Sequence, residues 1–597
     1  MAGMSSARVR LALTAQLLLA AALYTVGAAR SGWGNAYYAA AAQAGSVSWH
    51  AFWFGALDPA GGITVDKPPA SLWLMGASVR LFGLSPQAVL WPQAVCGVGA
   101  VWVLYLTVRR HAGAAAGLLA SGILALTPVV TLMARYDNPD ALMTLLLVGA
   151  AYATTRAVDR DRGGLAWVVV AGGLVGTAFL TKQIQALLVL PALVAVLMWA
   201  GPGSVVRRLG RAVAGGAAVV VAAGWWVLLV LSTPVSQRPF IGGTSTSSIW
   251  ELTVGYNGLG RLNGSGANGT HAASYGRLFG GSADEAGWLL PAALLLLVAA
   301  AVVTRHDPRR DPRRAGLLLW GGWLLVVGVV LSSLRGIYHS YYTVELAPAV
   351  AAVVAIGGSA VWAARGQVRW ANGVLMAVVA GTGVWACALL FVQPAWTVLA
   401  VPVVACASVV GVVALALDGR GGFGTATRRL AATAGLVAAL AAPATWSVAT
   451  AASVHQGANV QAGPGVTELG TEAGIVPGTR VPVAVADLVA AGAAGHEWAA
   501  VMTGRYAAQV QLASGAPVRM LGGFTGTDPD PSLAAFQDLV AAGRVHYLLV
   551  EASSLRSRPD TTAGQITAWA VRGFPQRQYQ GWLVVDLTAA SLAVAGS

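Results

Sequence analysis

ASLWLMGASVRLFG, residues 70–83, is the stretch on whose reading the fold depends. It is apolar like a membrane span, but fourteen residues are too few, since about 20 are needed to cross roughly 30 Å of hydrocarbon. Arg80 also interrupts it, and Pro68-Pro69 immediately before it suits a helix start, where a missing N–H costs nothing. The segment therefore reads as an interfacial helix lying on the outer membrane surface. Counting it as a crossing would carry Arg109 and Arg110 to the side opposite every other arginine cluster.

Working outward from it, apolar stretches of span length fall near 11–29, 88–108, 113–131, 139–157, 164–181, 184–200, 212–231, 286–304, 315–333, 341–363, 371–391, 396–416 and 431–450, about thirteen in all. Composition agrees, with 56% hydrophobic and 10% charged residues and a mean hydropathy of +0.67. A net charge of +14 would suggest nucleic acid for a soluble chain, but its distribution has another cause. With the N-terminus inside, Arg8/Arg10, Arg109/Arg110, Arg156/Arg160/Arg162, Arg207/Arg208/Arg211, the cluster 305–314, Arg365/Arg369 and Arg420/Arg428/Arg429 all lie on one side. These are twenty of the 37 basic residues, as cytoplasmic loops require. Arg8 and Arg10 before an apolar run and Gly27-Ala28-Ala29 after it also suit a cleavable signal peptide, but the many following spans fit a retained first helix. Cys96, Cys387 and Cys406 lie in apolar runs and suggest neither disulfides nor a zinc site.

From about Ala451 the pattern changes. Strand-like runs at 481–485, 518–521, 545–550 and 582–587 alternate with helix-like runs at 532–542 and 562–571, so residues 451–597 read as a small α/β domain after a transmembrane domain at 1–450. The odd number of spans places it outside. The outer loop 232–285 is rich in Gly, Ser, Thr and Asn, and its Asn263-Gly264-Ser265 and Asn268-Gly269-Thr270 read as chance matches to the glycosylation pattern.

Chemistry gathers at the outer surface. The chain holds two lysines against 35 arginines, and both fall there: Lys67 beside Asp66, and Lys182 where the fifth span emerges. An ammonium is a compact ligand for phosphate, although a snorkelling lysine is the plain alternative for each. Asp58, Asp66, Asp137 and Asp140 occupy the first two outer loops. Asp137 and Asp140 could serve as helix caps, yet a reaction that takes a proton from a hydroxyl needs such a base. A second acid can orient the nucleophile or hold a divalent cation, and Asp66 with Asp140 would be its ligands; the metal requirement stays open. Arg335 and His339 form a second phosphate-binding candidate. Tyr38 in the aromatic loop 32–38 and Tyr341/Tyr342 are candidate substrate contacts, with interfacial anchoring as the alternative.

In chain order, Asp66-Lys67-Pro68-Pro69, Arg135-Tyr136-Asp137-Asn138-Pro139-Asp140, Phe179-Leu180-Thr181-Lys182, ELTVGYNGLGR at 251–261, His339-Ser340-Tyr341-Tyr342 and LGGFTGTDP at 521–529 resemble glycosyltransferase family 39. These are the relatives of the bacterial aminoarabinose transferase and of the protein O-mannosyltransferases, with the GT-C fold. The resemblance extends to a bacterial mannosyltransferase-like branch with an extra C-terminal domain. It implies a multi-pass plasma-membrane enzyme that moves mannose or another hexose, with inversion, from a polyprenyl-phosphate donor to an envelope lipid, glycan or protein on the extracytoplasmic side. Lys67 and Lys182 would hold the donor phosphate, and Asp66 and Asp140 would orient or deprotonate the acceptor. Many relatives have an acid just after the first span, where this chain has Trp33-Gly34-Asn35. An amide is no base at neutral pH, so Asn35 would only orient the acceptor and the base must come from elsewhere. A transporter or flippase would instead place ionisable groups at the bilayer midplane, whereas these lie at the rim, and a sensor with an outer domain would rarely need thirteen spans.

Overall fold

The computed structural model describes residues 5–264, 272–391, 394–419, 424–464, 481–551 and 559–589. Ser265 and the Asn268-Gly269-Thr270 sequence lie outside the described residues, as does Arg420.

Eleven described helices are long and apolar enough to cross a membrane. The longest, Pro86–Ala125, starts with Ser85 capping the Ala88 N–H and Pro86 in its first turn. Gly113 breaks it at φ 87°, a conformation closed to a helix interior, so the two spans expected over 88–108 and 113–131 meet at that glycine. The span expected over 184–200 is different. Gln183 takes a positive φ after Lys182, a 3₁₀ turn follows at Gln183–Leu187, and Leu190–Ala200 has eleven residues, about 16 Å, too short to cross alone. The expectation of about thirteen crossings thus meets eleven qualifying helices, one broken in two, and one short helix.

Small residues set the packing. On Gly164–Lys182, Gly172 and Gly176 lie against the backbone of Val205–Ser232, where a Cβ on Gly176 would stand 2.5 Å from the Val219 carbonyl oxygen. With no hydrophobic drive between helices in lipid, such close backbone approach supplies the contact. Arginine loops meet at one end: Arg110 pairs with Asp159 at 2.8 Å, Arg310 with Asp161 at 3.2 Å, and Arg207 and Arg211 donate to the Asp161 carbonyl. Helix Asp140–Asp159 separates that end from the acidic motifs by 20 residues, about 30 Å.

The stretch read as an interfacial helix is the helix Ala70–Phe82. It buries Leu72, Met75 and Val79 and leaves Leu81 and Phe82 exposed. Arg80 turns to the C-terminal end of helix Ala36–Val47, donating to the Gly45 and Ser46 carbonyls at 3.1 and 2.8 Å and stacking on Trp49.

The C-terminal residues form a five-stranded sheet: β1 (Trp498–Thr503), β2 (Val518–Leu521), β3 (Val545–Glu551), β4 (Gln576–Tyr579) and β5 (Trp582–Asp586), in the order β2-β1-β3-β5-β4. β2, β1 and β3 are parallel, while β5 and β4 run antiparallel. Strand expectations hold at β2, β3 and β5, but 481–485 falls at the start of helix Val483–Ala491, launched by Pro482 and rich in alanine. β1 escaped notice for a related reason, since WAAVMT lacks the β-branched density of a typical strand. This unit sits on the first loop through a shared apolar core that joins Tyr37, Val65 and Met75 to Met502, Met520 and Leu549. Asp58 accepts hydrogen bonds from Trp498 Nε1 at 2.8 Å and from the Ala60 and Gly62 amides, and Gln511 donates to the Ala40 and Leu57 carbonyls.

Candidate active site

At the end of the bundle opposite the arginine loops, a cavity of about 290 Å³ is lined by residues from regions far apart in sequence, among them the following. The first loop supplies Asn35, Tyr38, Asp66 and Lys67; the second supplies Asn138 and Pro139, with Lys182 beside them. Tyr256 and Arg261 come from the irregular helical segment Glu251–Asn263, and Tyr338 to Tyr342 from the loop and the 3₁₀ turn Ser340–Glu345 that lead into helix Ala347–Ala364.

Its floor is cationic. Lys182 is buried and pairs with Asp140 Oδ1 at 2.8 Å, its ammonium 4.2 Å from the Tyr342 ring centre. Arg261 donates to the Tyr342 hydroxyl at 3.3 Å and stacks on Tyr256, whose ring also carries Lys67 at 5.2 Å. Two tyrosines therefore bind three cations into one group. Burial, opposed in part by Asp66 and reinforced by Arg261 and Lys182, pushes Lys67 down to about 8. Desolvation and like-charge repulsion are both costs that a bound anion would relieve.

Asp66 is the one carboxylate among the described residues lining this cavity. Burial alone would raise its pKa, but Lys67 at 3.0 Å, the Tyr256 hydroxyl and Arg261 outweigh it and hold the carboxyl below the ordinary range. Its backbone carbonyl accepts from Asn257 Nδ2 at 2.9 Å, and that same amide reaches Gln183, fixing the first loop to the start of the 3₁₀ turn after Lys182. The segment carrying Tyr256 and Asn257 has π-type turns, an irregularity frequent at functional sites.

Other expected residues take different places. Asp140 lies wholly buried behind Lys182, so it holds the lysine and does not face the cavity. Asp137 is also fully buried; its Oδ1 accepts the Asn35 N–H at 2.7 Å, and burial raises its carboxyl well above the ordinary range. It braces the wall behind Asn35 and is not among the residues that line the cavity, unlike the place its reading as catalytic implies. Asn35 lines the cavity while its side chain caps helix Ala36–Val47 at the Tyr37 N–H. His339 lines it too, stacked on Tyr341, and burial with the nearby cations lowers its pKa well below normal, so it offers a neutral imidazole. Arg335 is exposed, and its backbone N–H only joins the Arg261 carbonyl; the second cation is Arg261, not Arg335. Asp66 and Asp140 are each engaged by their own lysine, and among the described residues no group of three His, Cys, Asp or Glu converges as metal ligands, so this pair does not fit a divalent ion. Arg261, Tyr256 and Asn257 sat within ELTVGYNGLGR, a stretch whose likeness was legible while its roles were not.

Comparison with known proteins follows this geometry. Residues 66–227 match the family described as dolichyl-phosphate-mannose-protein mannosyltransferase, and residues 485–572 match the family described as "Putative mannosyltransferase YkcB-like, C-terminal". The chain is 26% identical to the "Putative mannosyltransferase YycA" of Bacillus subtilis, over 92% of each chain. It is 35% identical to the "Putative mannosyltransferase YkcB" of the same organism, over 40% of this chain and 33% of that one. Its fold is that of ArnT from Cupriavidus metallidurans, solved bound to undecaprenyl phosphate, with a TM-score of 0.56 at 17% identity over the full length of both. The Archaeoglobus fulgidus oligosaccharyltransferase is similar at a TM-score of 0.51 and 12% identity, over 96% of this chain and 73% of that one. The chain is a multi-pass membrane glycosyltransferase of the GT-C class. Within that class it is homologous to the mannosyltransferase-like proteins that carry the YkcB-like C-terminal unit.

Proposed function

We propose that the enzyme transfers a hexose, mannose by kinship, from a polyprenyl monophosphate to an acceptor hydroxyl on the extracytoplasmic side, with inversion at the anomeric carbon. The observation that carries this reading is the group Lys67, Lys182 and Arg261 around one cavity that also holds Asp66. The solved complex of ArnT with undecaprenyl phosphate supports the same donor type. The arginine-rich loops at the other end support a cytoplasmic placement there, and hence an outer position for the site and for residues 451–597.

In the reaction the acceptor oxygen bonds to the anomeric carbon as the bond from that carbon to the phosphate oxygen breaks. The lipid phosphate leaves with the electron pair, and the three cations neutralise the charge that grows on it. Asp66 accepts the hydroxyl's hydrogen bond and then its proton. A carboxylate of low pKa is a weak base toward a free alcohol, so the proton moves late, when the attacking oxygen has become strongly acidic. Attack from the face opposite the phosphate inverts the anomeric configuration.

The test is transfer in proteoliposomes supplied with radiolabelled polyprenyl-phosphate mannose and envelope extract. Label should leave the lipid for an acceptor, and Lys67→Ala and Lys182→Ala should each weaken donor use by about tenfold to a hundredfold. Label that crosses the bilayer still on its lipid would show a flippase instead.

A further inference from the structure

The cationic floor leaves the opposite wall of the cavity unexplained. That wall comes from two segments outside the transmembrane bundle: residues 458–461, which follow the last long helix, and Arg505, Phe524 and Thr525 of the C-terminal unit. Both are held in place. The Gly457 N–H donates to the Gly34 carbonyl, the Tyr136 hydroxyl donates to the Gly457 carbonyl, and the Ala462 N–H donates to the buried Glu285 at 3.0 Å. The loop after β2 is tied through Asp528, which accepts the Gly243 N–H at 2.7 Å. Gly522 and Gly526 have positive φ and pack on each other where no Cβ would fit, so the loop turns tightly and presents Phe524 and Thr525 to the cavity.

The chemistry of this wall differs from that of the floor. Phe524 offers an aromatic ring, braced edge-on by Tyr37 at 5.0 Å and carrying the Arg505 guanidinium 5.1 Å from its centre, and Thr525 a hydroxyl. Asn459 and Gln461 add side-chain amides, and the Asn459 oxygen is buried without a partner among the described residues. A buried carbonyl oxygen without a donor is costly, and a ligand hydroxyl would satisfy it. Amides, a hydroxyl, one aromatic ring and the Arg505 guanidinium stacked on it are groups that together recognise several hydroxyls on a ring or chain.

We infer that this wall is the acceptor subsite and that the acceptor is a carbohydrate or polyol, held by Asn459 and Phe524 with one hydroxyl directed at Asp66. The C-terminal unit thereby completes the active site and selects the acceptor. This rests on the proposed donor chemistry, so the experiment separates the two. Wild-type protein, Asn459→Ala, Phe524→Ala and Phe524→Leu are assayed with polyprenyl-phosphate mannose and, as acceptor probes, the carbohydrate and protein fractions of the envelope. Undecaprenyl phosphate binding is measured in parallel. The expected result is label in the carbohydrate fraction, with half-saturating acceptor raised about tenfold in Asn459→Ala and Phe524→Ala and undecaprenyl phosphate affinity kept within about twofold. Phe524→Leu retains apolar volume, so a rise there at unchanged lipid affinity separates loss of the aromatic face from misfolding. Unchanged acceptor dependence in all three variants, or label in the protein fraction, overturns the subsite. Failure of wild-type protein to bind undecaprenyl phosphate overturns the donor reading instead.

Discussion

Lys67 carries the most direct pH prediction. In the empty site it loses its charge near pH 8, because burial and the neighbouring cations disfavour the ammonium. A phosphate raises that value again, so binding takes up a proton near pH 8, and affinity falls as pH rises past it, by up to tenfold per unit until the bound-state value is reached. Calorimetry with undecaprenyl phosphate in buffers of different ionisation enthalpy should detect the proton, and Lys67→Arg should abolish it. A flat affinity from pH 7 to 10 would exclude this role. Asp66→Asn should lose about a hundredfold in turnover. Asp137→Asn should stay near wild type because the amide oxygen still accepts from Asn35, whereas Asp137→Ala leaves a buried N–H unpaired and should cost about 1–3 kcal/mol in thermal stability. The Asp66–Lys67 pair was legible in the sequence as adjacent charges in a chain poor in both. Which of Asp137 and Asp140 faces the cavity was not, since neither does: that depends on how the helix starts at Asp140, and spacing alone does not reveal it.

Helices and loops show the same division. Span-length apolar runs found every described helix long enough to cross the membrane, because lipid demands length and hydrophobicity together. What escaped was local: the reversal at Gln183 shortens the next helix and thereby sets Lys182 at the cavity. The helix that carries Lys182 is seated by Gly176, so Gly176→Leu should overpack the contact, cost about 1–3 kcal/mol in detergent melting and displace the lysine, with lower donor affinity. The Gly-rich loop carries its own pH dependence. Burial and the nearby Asp66 raise Asp528 to about 7. A carboxyl raised in the folded state favours the native form while protonated, and this contribution is lost as pH rises through about 7. Amide protection in residues 521–528, corrected for intrinsic exchange, should therefore drop from about pH 4 to about pH 7 and level off above it, and Asp528→Asn should remove the drop.

For the whole molecule, the orientation read from the sequence rests on twenty arginines in one set of loops, of which the fold brings Arg110, Arg207, Arg211 and Arg310 together at one end. The seat of the C-terminal unit was not readable. It depends on tertiary pairs such as Asp58 with Trp498 and Gln511 with Leu57, separated by more than 400 residues. Asp58 thus anchors that unit, so Asp58→Asn should loosen it and leave the chemistry of Asp66 in place. Cysteine labelling after Val454 and after Asp307 should report opposite sides of the membrane, and the same side for both would remove the outer placement of the site. The central claim is that one cavity binds a lipid phosphate through Lys67, Lys182 and Arg261. Its most direct test is an experimental structure of the protein in lipid saturated with undecaprenyl phosphate. The phosphate should lie within about 3 Å of at least two of these cations, and density for it at the arginine-rich end, or a cavity left empty at saturation, would contradict the account.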